Sequence, residues 1–288
     1  MKLLVHLHLY YRDQLPWFLE RLANLEEPWD LVVTWPEEDA DSAALIRARK
    51  PDARFILVEN VGYDIWPFLV VLRSVDLDEY PLVMKLHTKG RNDTGHTVNG
   101  LRLKGFIWRD YLVDALLKTP AQAHRALHLM EKHPRIGMVC EGCLIRRPGK
   151  MDPEDGVLLQ AECRRLGIAY GHRRFCAGTI FLARTAPFRR LAQGDLTAAS
   201  FAGPVASHST GSLAHVYERI LSFLVQEEGL RLKGVTTHPL RLAWVRVSKA
   251  VEPALKQVFA LERVGPDAVK QLTLLGCKFR FPSRRNEK

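Results

Sequence analysis

Residues 55–68 read Phe55-Ile56-Leu57-Val58-Glu59-Asn60-Val61-Gly62-Tyr63-Asp64-Ile65-Trp66-Pro67-Phe68. The opening apolar run predicts a buried strand. A polar loop with a glycine follows, and then a helix whose start is marked twice: Asp64 stands at the capping position, and Pro67 lies in the first turn, where a missing N–H costs least. This strand–loop–helix unit recurs. Leu3–Leu9, Leu31–Thr34, Leu82–Leu86 and Ile136–Cys140 are further apolar runs, while Gln14–Leu25, Ala43–Lys50, Ile65–Val75 and Phe106–Leu117 carry apolar residues at helical spacing. Such alternation predicts an α/β protein with a mostly parallel sheet flanked by helices.

After Arg146 comes a Pro/Gly/charge-rich stretch, then a helix near Gly156–Leu166, a strand at Phe175–Ala183 and a long helix at Ser212–Glu228. From Leu240 the chain turns basic and amphipathic, so we expect a main domain over 1–240 and a basic helical segment over 241–288. With 288 residues and 47 % hydrophobic composition, the chain can bury a large core, which excludes disordered and mini-protein classes. No run approaches the roughly 20 apolar residues of a membrane span, and Met1-Lys2-Leu3-Leu4 does not open a signal peptide, so a cytoplasmic protein is expected. Five cysteines fit a reducing compartment, and the single Cys140-Glu141-Gly142-Cys143 pair reads as structural. The net charge of +10 favours anionic partners. No recognised nucleic-acid motif accompanies it, so nucleic acid is not the expected one.

In an open α/β sheet, ligands bind beyond the carboxyl ends of the strands. The four strand ends there read His8-Leu9-Tyr10-Tyr11, Thr34-Trp35, Glu59 to Asp64, and His87-Thr88-Lys89-Gly90-Arg91. The last gathers a hydroxyl, an ammonium, a guanidinium and a glycine, which suits a diphosphate. Neither the G-x-x-x-x-G-K-[ST] nor the G-x-G-x-x-G spacing occurs, which argues against nucleotide hydrolases and dinucleotide oxidoreductases.

Taken in order, Val5-His6-Leu7-His8, Asn60-Val61-Gly62-Tyr63-Asp64-Ile65-Trp66-Pro67-Phe68, Lys85-Leu86-His87-Thr88-Lys89, Ala177-Gly178-Thr179-Ile180-Phe181 and Leu213-Ala214-His215-Val216-Tyr217-Glu218-Arg219 resemble the rhamnan synthesis protein F-like glycosyltransferases of bacterial surface-polysaccharide pathways. The resemblance implies a GT-A-like (Rossmann-like) fold, a nucleotide-sugar donor, dTDP-L-rhamnose first among candidates, and a growing glycan, often lipid-linked, as acceptor. The chain departs from the family pattern at Thr210-Gly211-Ser212, where the family carries Asp-Gly-Thr.

Roles follow from side-chain chemistry. His8, Tyr11, Asn60, Gly62, Asp64, His87, Thr88, Lys89 and Arg91 are candidates for binding donor, and Gly178, Thr179 and Arg219 for contacting sugar or acceptor. His215, Glu218 and Arg219 share a helix face by their spacing. Glu218 is the first candidate for general base, with Asp64 second, and His215 is a further candidate catalytic group. Pairing of Glu218 with Arg219 and capping by Asp64 are the structural alternatives.

Two Asp-x-Asp strings, Asp39-Ala40-Asp41 and Asp76-Leu77-Asp78, lie where turns or caps explain them. Lys89 and Arg91 can instead supply the cationic charge, which predicts a metal-independent enzyme. The alternative is Mg²⁺ or Mn²⁺ on His87 and His238. The basic tail, with Trp244, Phe259, Phe279 and Phe281, would also suit an anionic membrane surface, which implies peripheral attachment to the inner face of the cytoplasmic membrane. Two other classes stay open at this point, a basic nucleic-acid-binding protein and a His/Asp metallohydrolase.

Overall fold

A computed structural model describes residues 2–148, 153–171, 173–202, 212–264, 269–275 and 277–281. Thr210 and Gly211, and Gly149 to Asp152 of the Pro/Gly-rich stretch, lie outside the described residues. The chain divides into two compact units, Met1–Thr237 and His238–Lys288.

The first unit runs β1 (Leu3–His8), α1 (Leu15–Leu22), β2 (Trp29–Trp35), α2 (Ala40–Arg47), β3 (Arg54–Leu57), α3 (Ile65–Ser74), β4 (Leu82–His87), β5 (Asn92–Val98), β6 (Leu101–Gly105), α4 (Ile107–Leu117), α5 (Pro120–Lys132) and β7 (Ile136–Glu141). It continues through β8 (Ile145–Arg146), α6 (Pro153–Arg165), β9 (Phe175–Cys176), β10 (Phe181–Arg184), α7 (Arg189–Ala192), α8 (Ala198–Phe201), α9 (Leu213–Glu227) and β11 (Arg231–Val235). Seven strands form one sheet in the order β11-β7-β10-β4-β1-β2-β3. Its pairings are parallel except those of β10, which runs against β4 and β7. The α/β sheet, mostly parallel and flanked by helices, is therefore the architecture that the alternation predicts.

Every residue of β1 and β4 is buried, as central parallel strands must be when helices cover both faces. On one face, α3 and α9 close over Leu4, Val32, Val83 and Met138. There the Phe68 ring of α3 meets Phe181 and Phe188 edge-on at centroid distances of 6.0 and 5.6 Å. On the other face α4 packs against β7, with α1 and α5 beside it. The register of β1 sets His8 opposite Thr34 on β2 and His87 on β4, so three polar residues end their strands side by side.

The strand expected over Phe175–Ala183 is broken in two. Gly178 and Thr179 have φ of +88° and +50°, and two successive left-handed residues cannot continue a pleated strand. Asp39 does cap its helix, α2, accepting from Ser42 N at 3.1 Å. Asp76 accepts from Asp78 N at 2.9 Å in a turn, and Asp78 pairs with Arg189.

In the second unit α10 (Pro239–Val258) packs on a three-stranded antiparallel sheet of β12 (Phe259–Val264), β13 (Val269–Leu274) and β14 (Cys277–Phe281). The expected helical segment is α10. Beyond Val258 strands replace the helix expected over 241–288, a correction that arises where apolar residues alternate, as in Lys270-Gln271-Leu272-Thr273-Leu274, instead of recurring at helical spacing.

Candidate active site

Lys85 stands in the middle of an apolar strand, and a fully buried ammonium requires an anion. Its Nζ donates to Asp64 Oδ2, and also to the backbone oxygen and Oγ1 of Thr179 at 3.1 and 3.2 Å. Thr179 Oγ1 in turn donates to Asp64 Oδ2. Asp64 therefore makes no side-chain cap on α3, correcting the capping expectation. The buried cation takes the carboxylate because water cannot replace it, whereas the first turn of a helix can be solvated. Burial alone would raise the Asp64 carboxyl, but His87, Lys85 and Lys89 outweigh it and hold the group well below the usual carboxylate range.

The histidines at the strand ends are held neutral. His6 Nε2 and His8 Nδ1 share the Thr34 hydroxyl at 2.9 and 3.0 Å. His87 Nε2 donates to the Gly178 carbonyl at 2.9 Å and lies 3.8 Å from Asp64 Oδ2. Burial pushes His8 down to about 4 and His87 down to about 3, against the opposing pull of Asp64. Unfolded imidazoles bind protons near pH 6.5, which the native rings refuse until much lower pH. Stability therefore falls as pH drops from about 6.5 toward 4, by roughly 1.4 kcal/mol per pH unit for each ring fully within its window. Urea midpoints measured across this range should decline, and less steeply in His8→Gln; a flat profile would contradict neutral burial.

The loop after β4 is tied down on both sides. Thr88 Oγ1 accepts from Tyr10 N at 3.0 Å and Tyr11 N at 2.9 Å, fixing the turn after β1. Gln14 donates to Lys89 O at 2.7 Å and accepts from Lys89 N at 3.3 Å. With its backbone fixed, half-buried Lys89 extends its Nζ over the Trp108 ring, 4.6 Å from the centroid. Burial lowers its pKa while Asp64 and Glu218 pull the other way. Among the described residues no carboxylate lies within ion-pairing distance of this ammonium.

On α9, Glu218 Oε1 accepts from Gly178 N at 2.7 Å, and its Oε2 lies 3.9 Å from Arg219 Nη1. Arg219 turns back to the His215 carbonyl at 2.5 Å. The His215 ring stacks on Tyr63, at 5.9 Å between centroids. Gly178 has to be glycine: besides its positive φ, a Cβ there would lie 2.7 Å from Leu112 Cδ1 and 2.9 Å from Trp108 Nε1. Gly62, with φ of +66°, packs against the Phe201 ring, which a Cβ would meet at 2.9 Å. The close approach that glycine permits here is thus to the protein's own ring.

These groups line one cleft of about 1090 Å³. It brings together His8, Tyr11, Asn60, Gly62, Asp64, His87, Thr88, Lys89, Gly178, Thr179, His215 and Glu218. Arg91 lies outside it: its side chain is 63 % exposed and pairs with Asp93 at 2.6 Å, because the chain turns away into the β5–β6 hairpin. Arg219 is not among the lining residues, being drawn to the helix backbone and to a position 5.1 Å from the Phe175 ring. His87 belongs to the first unit and His238 to the second. Tyr10, Tyr63, Trp108, Glu162, Arg165 and Phe201 also line the cleft without having been singled out from sequence. Lys85 had a readable signal, a lone charge inside an apolar strand. Glu162 and Arg165 pair with each other at 2.9 Å on α6 and carried no signal beyond a solvated helix face.

A family model described as rhamnan synthesis protein F matches residues 1–146. Two curated relatives, both the uncharacterized protein WxcX of Xanthomonas campestris pv. campestris (strains B100 and ATCC 33913), are 26 % identical over 246 residues, 80 % of this chain. The chain spans about a third of their length, 32 %. Among solved structures, S. aureus TarS is similar at 12 % identity and a TM-score of 0.41, over 88 % of this chain and 39 % of TarS. A shorter TarS form in complex with UDP-GlcNAc gives 11 % and 0.37 over 66 % of this chain and 47 % of that one.

Proposed function

Because the chain belongs to the rhamnan synthesis protein F family, we propose that its first unit is a glycosyltransferase domain moving a sugar from a nucleotide-sugar donor onto a growing cell-envelope glycan. The donor sugar is L-rhamnose or another deoxyhexose, with dTDP-L-rhamnose first among donors, and the acceptor is a polysaccharide or a lipid-linked glycan. The observation that carries the reading is a cation with no carboxylate partner among the described residues, Lys89, sharing one cleft with a carboxylate, Glu218, at the carboxyl rim of a mostly parallel sheet.

In an inverting transfer the acceptor oxygen bonds to the anomeric carbon, the bond from that carbon to the diphosphate oxygen breaks, and its electron pair leaves with the nucleoside diphosphate. Negative charge grows on the leaving group, and a preorganised ammonium stabilises it most where water is scarce. Lys89 is that ammonium, backed by Lys85 in the layer beneath. The acceptor proton goes to Glu218. Asp64 is the poorer base, because a carboxylate held so far below its ordinary range has little affinity for a proton. Asp64 and Thr179 instead shape the floor, and His8, Tyr11 and Asn60 contact the donor.

Among the described residues, the donor set speaks against Mg²⁺ or Mn²⁺ on His87: Asp64 is already bonded to Lys85, and the His87 Nε2 proton is committed to Gly178 O. An ammonium thus stands where a divalent ion would need donors. The same donor set disfavours a metallohydrolase.

A thermal-shift panel of nucleoside diphosphates and nucleotide sugars, run with and without EDTA, tests the reading. Ligands at about 100 times their Kd should stabilise the protein by about 2.7 kcal/mol, with or without chelator. No shift from any nucleotide, or shifts only with added Mn²⁺ or Mg²⁺, would overturn the metal-free donor site.

A further inference from the structure

The second unit is built with its apolar side outward. On α10, Leu240, Trp244, Val247, Val251, Leu255 and Val258 recur every three or four residues and are all exposed, Leu240 at 87 % and Trp244 at 70 %. They form one stripe. The helix buries Leu242 and Val245 instead, so it has a filled inner side and a bare outer one. The sheet repeats the inversion. Strand residues alternate between faces, and on β13 the buried side chains are Gln271 and Thr273 while Leu274 is exposed. Its cross-strand partner Phe259 is exposed too, as is Phe279, which faces Leu272. Apolar exposure on this scale marks an interaction surface.

Charge decides what it meets. Residues 238–288 hold eleven Lys and Arg against four Asp and Glu, an excess of seven out of the chain's net +10. Along α10 the basic residues Arg241, Arg246, Lys249 and Lys256 flank or oppose the stripe, and the one acidic residue, Glu252, is neutralised by Lys256 at 2.9 Å. A basic helix with one Trp- and Leu-bearing face lies in the headgroup region of an anionic bilayer, apolar side down and cations at the phosphates. Pairing with a second copy would bring two such excesses of positive charge together. A helix of 20 residues also offers fewer than three heptads for a coiled coil, below the usual minimum of about three to four. We propose that the second unit docks on an anionic lipid bilayer through the outer stripe of α10. This goes beyond sugar transfer and does not depend on it.

The test is sedimentation of the whole chain with phosphatidylcholine vesicles, with or without about one third phosphatidylglycerol. Binding should require the anionic lipid and weaken with salt. Trp244→Ser/Leu255→Ser should lower vesicle affinity by at least about tenfold. Arg241→Gln/Arg246→Gln should lower it roughly fivefold per charge. These side chains are exposed, so circular dichroism and thermal midpoints should match those of the unsubstituted protein. Equal affinity for neutral vesicles, no binding, or wild-type binding by the serine variant would each overturn the proposal. So would a concentration-dependent dimer abolished by the same substitutions, which would assign the face to a second copy.

Discussion

Glu218→Gln should bind nucleoside diphosphate as the unsubstituted protein does, yet turn over about two to four orders of magnitude more slowly, the range that general-base removal gives. The amide oxygen can still accept the 2.7 Å bond from Gly178 N, so the turn that carries Thr179 stays in place. What disappears is proton affinity at the cleft surface. Arg219, 3.9 Å from the other carboxylate oxygen, keeps its bond to the His215 carbonyl, so the helix face should not rearrange. Release of nucleoside diphosphate from donor in the presence of acceptor is the readout. Unchanged turnover would pass the base role to another group, and lost diphosphate binding would make Glu218 structural.

Lys85→Met should fold less stably by about 3–5 kcal/mol, because it leaves Asp64 buried beside an apolar side chain. For a unit of this size, the thermal midpoint should drop by roughly 10 °C. Adding Asp64→Asn removes the orphaned charge and should recover part of the loss, a coupling expected of residues in direct contact. Strictly additive losses in the double variant would mean that the Lys85–Asp64 bond has no energetic content. Lys85 touches the floor of the cleft through Thr179 and Asp64, so the single variant should also bind diphosphate more weakly.

Much of the sheet is legible in the sequence because its central strands are buried on both faces and so appear as apolar runs, broken inside β1 by His6 and inside β4 by Lys85. β1 and β4 are the clearest cases. The β5–β6 hairpin was missed, although Asn99-Gly100, with φ of +50° and +75°, is a favoured two-residue turn for joining strands. The flanking Asn92-Asp93-Thr94-Gly95 offers no apolar run to draw attention to it. Helix α5 carried a readable start as well, since Thr119 caps it and Pro120 opens it.

Within the site, the sequence reveals which loops converge but not how their side chains pair. Asp64 sits at an ideal capping position, and only a partner 21 residues away, buried in the next strand, changes its role. Arg91 shows the converse: two residues beyond Lys89 it has the right charge, but the chain direction carries it into solvent beside Asp93. Trp108 and Glu162 reach the cleft from helices whose local patterns indicate only packing or solvation.

We propose that a fixed ammonium, not a metal ion, receives the diphosphate, and titration calorimetry of a nucleoside diphosphate into the protein and into Lys89→Ala, both in excess EDTA, decides between them. Saturable binding that the substitution weakens by at least about tenfold is the predicted result, in line with the 1.5–3 kcal/mol of a hydrogen bond to a charged group. Equal affinities for the two proteins, or binding that returns only with a divalent cation, would contradict it.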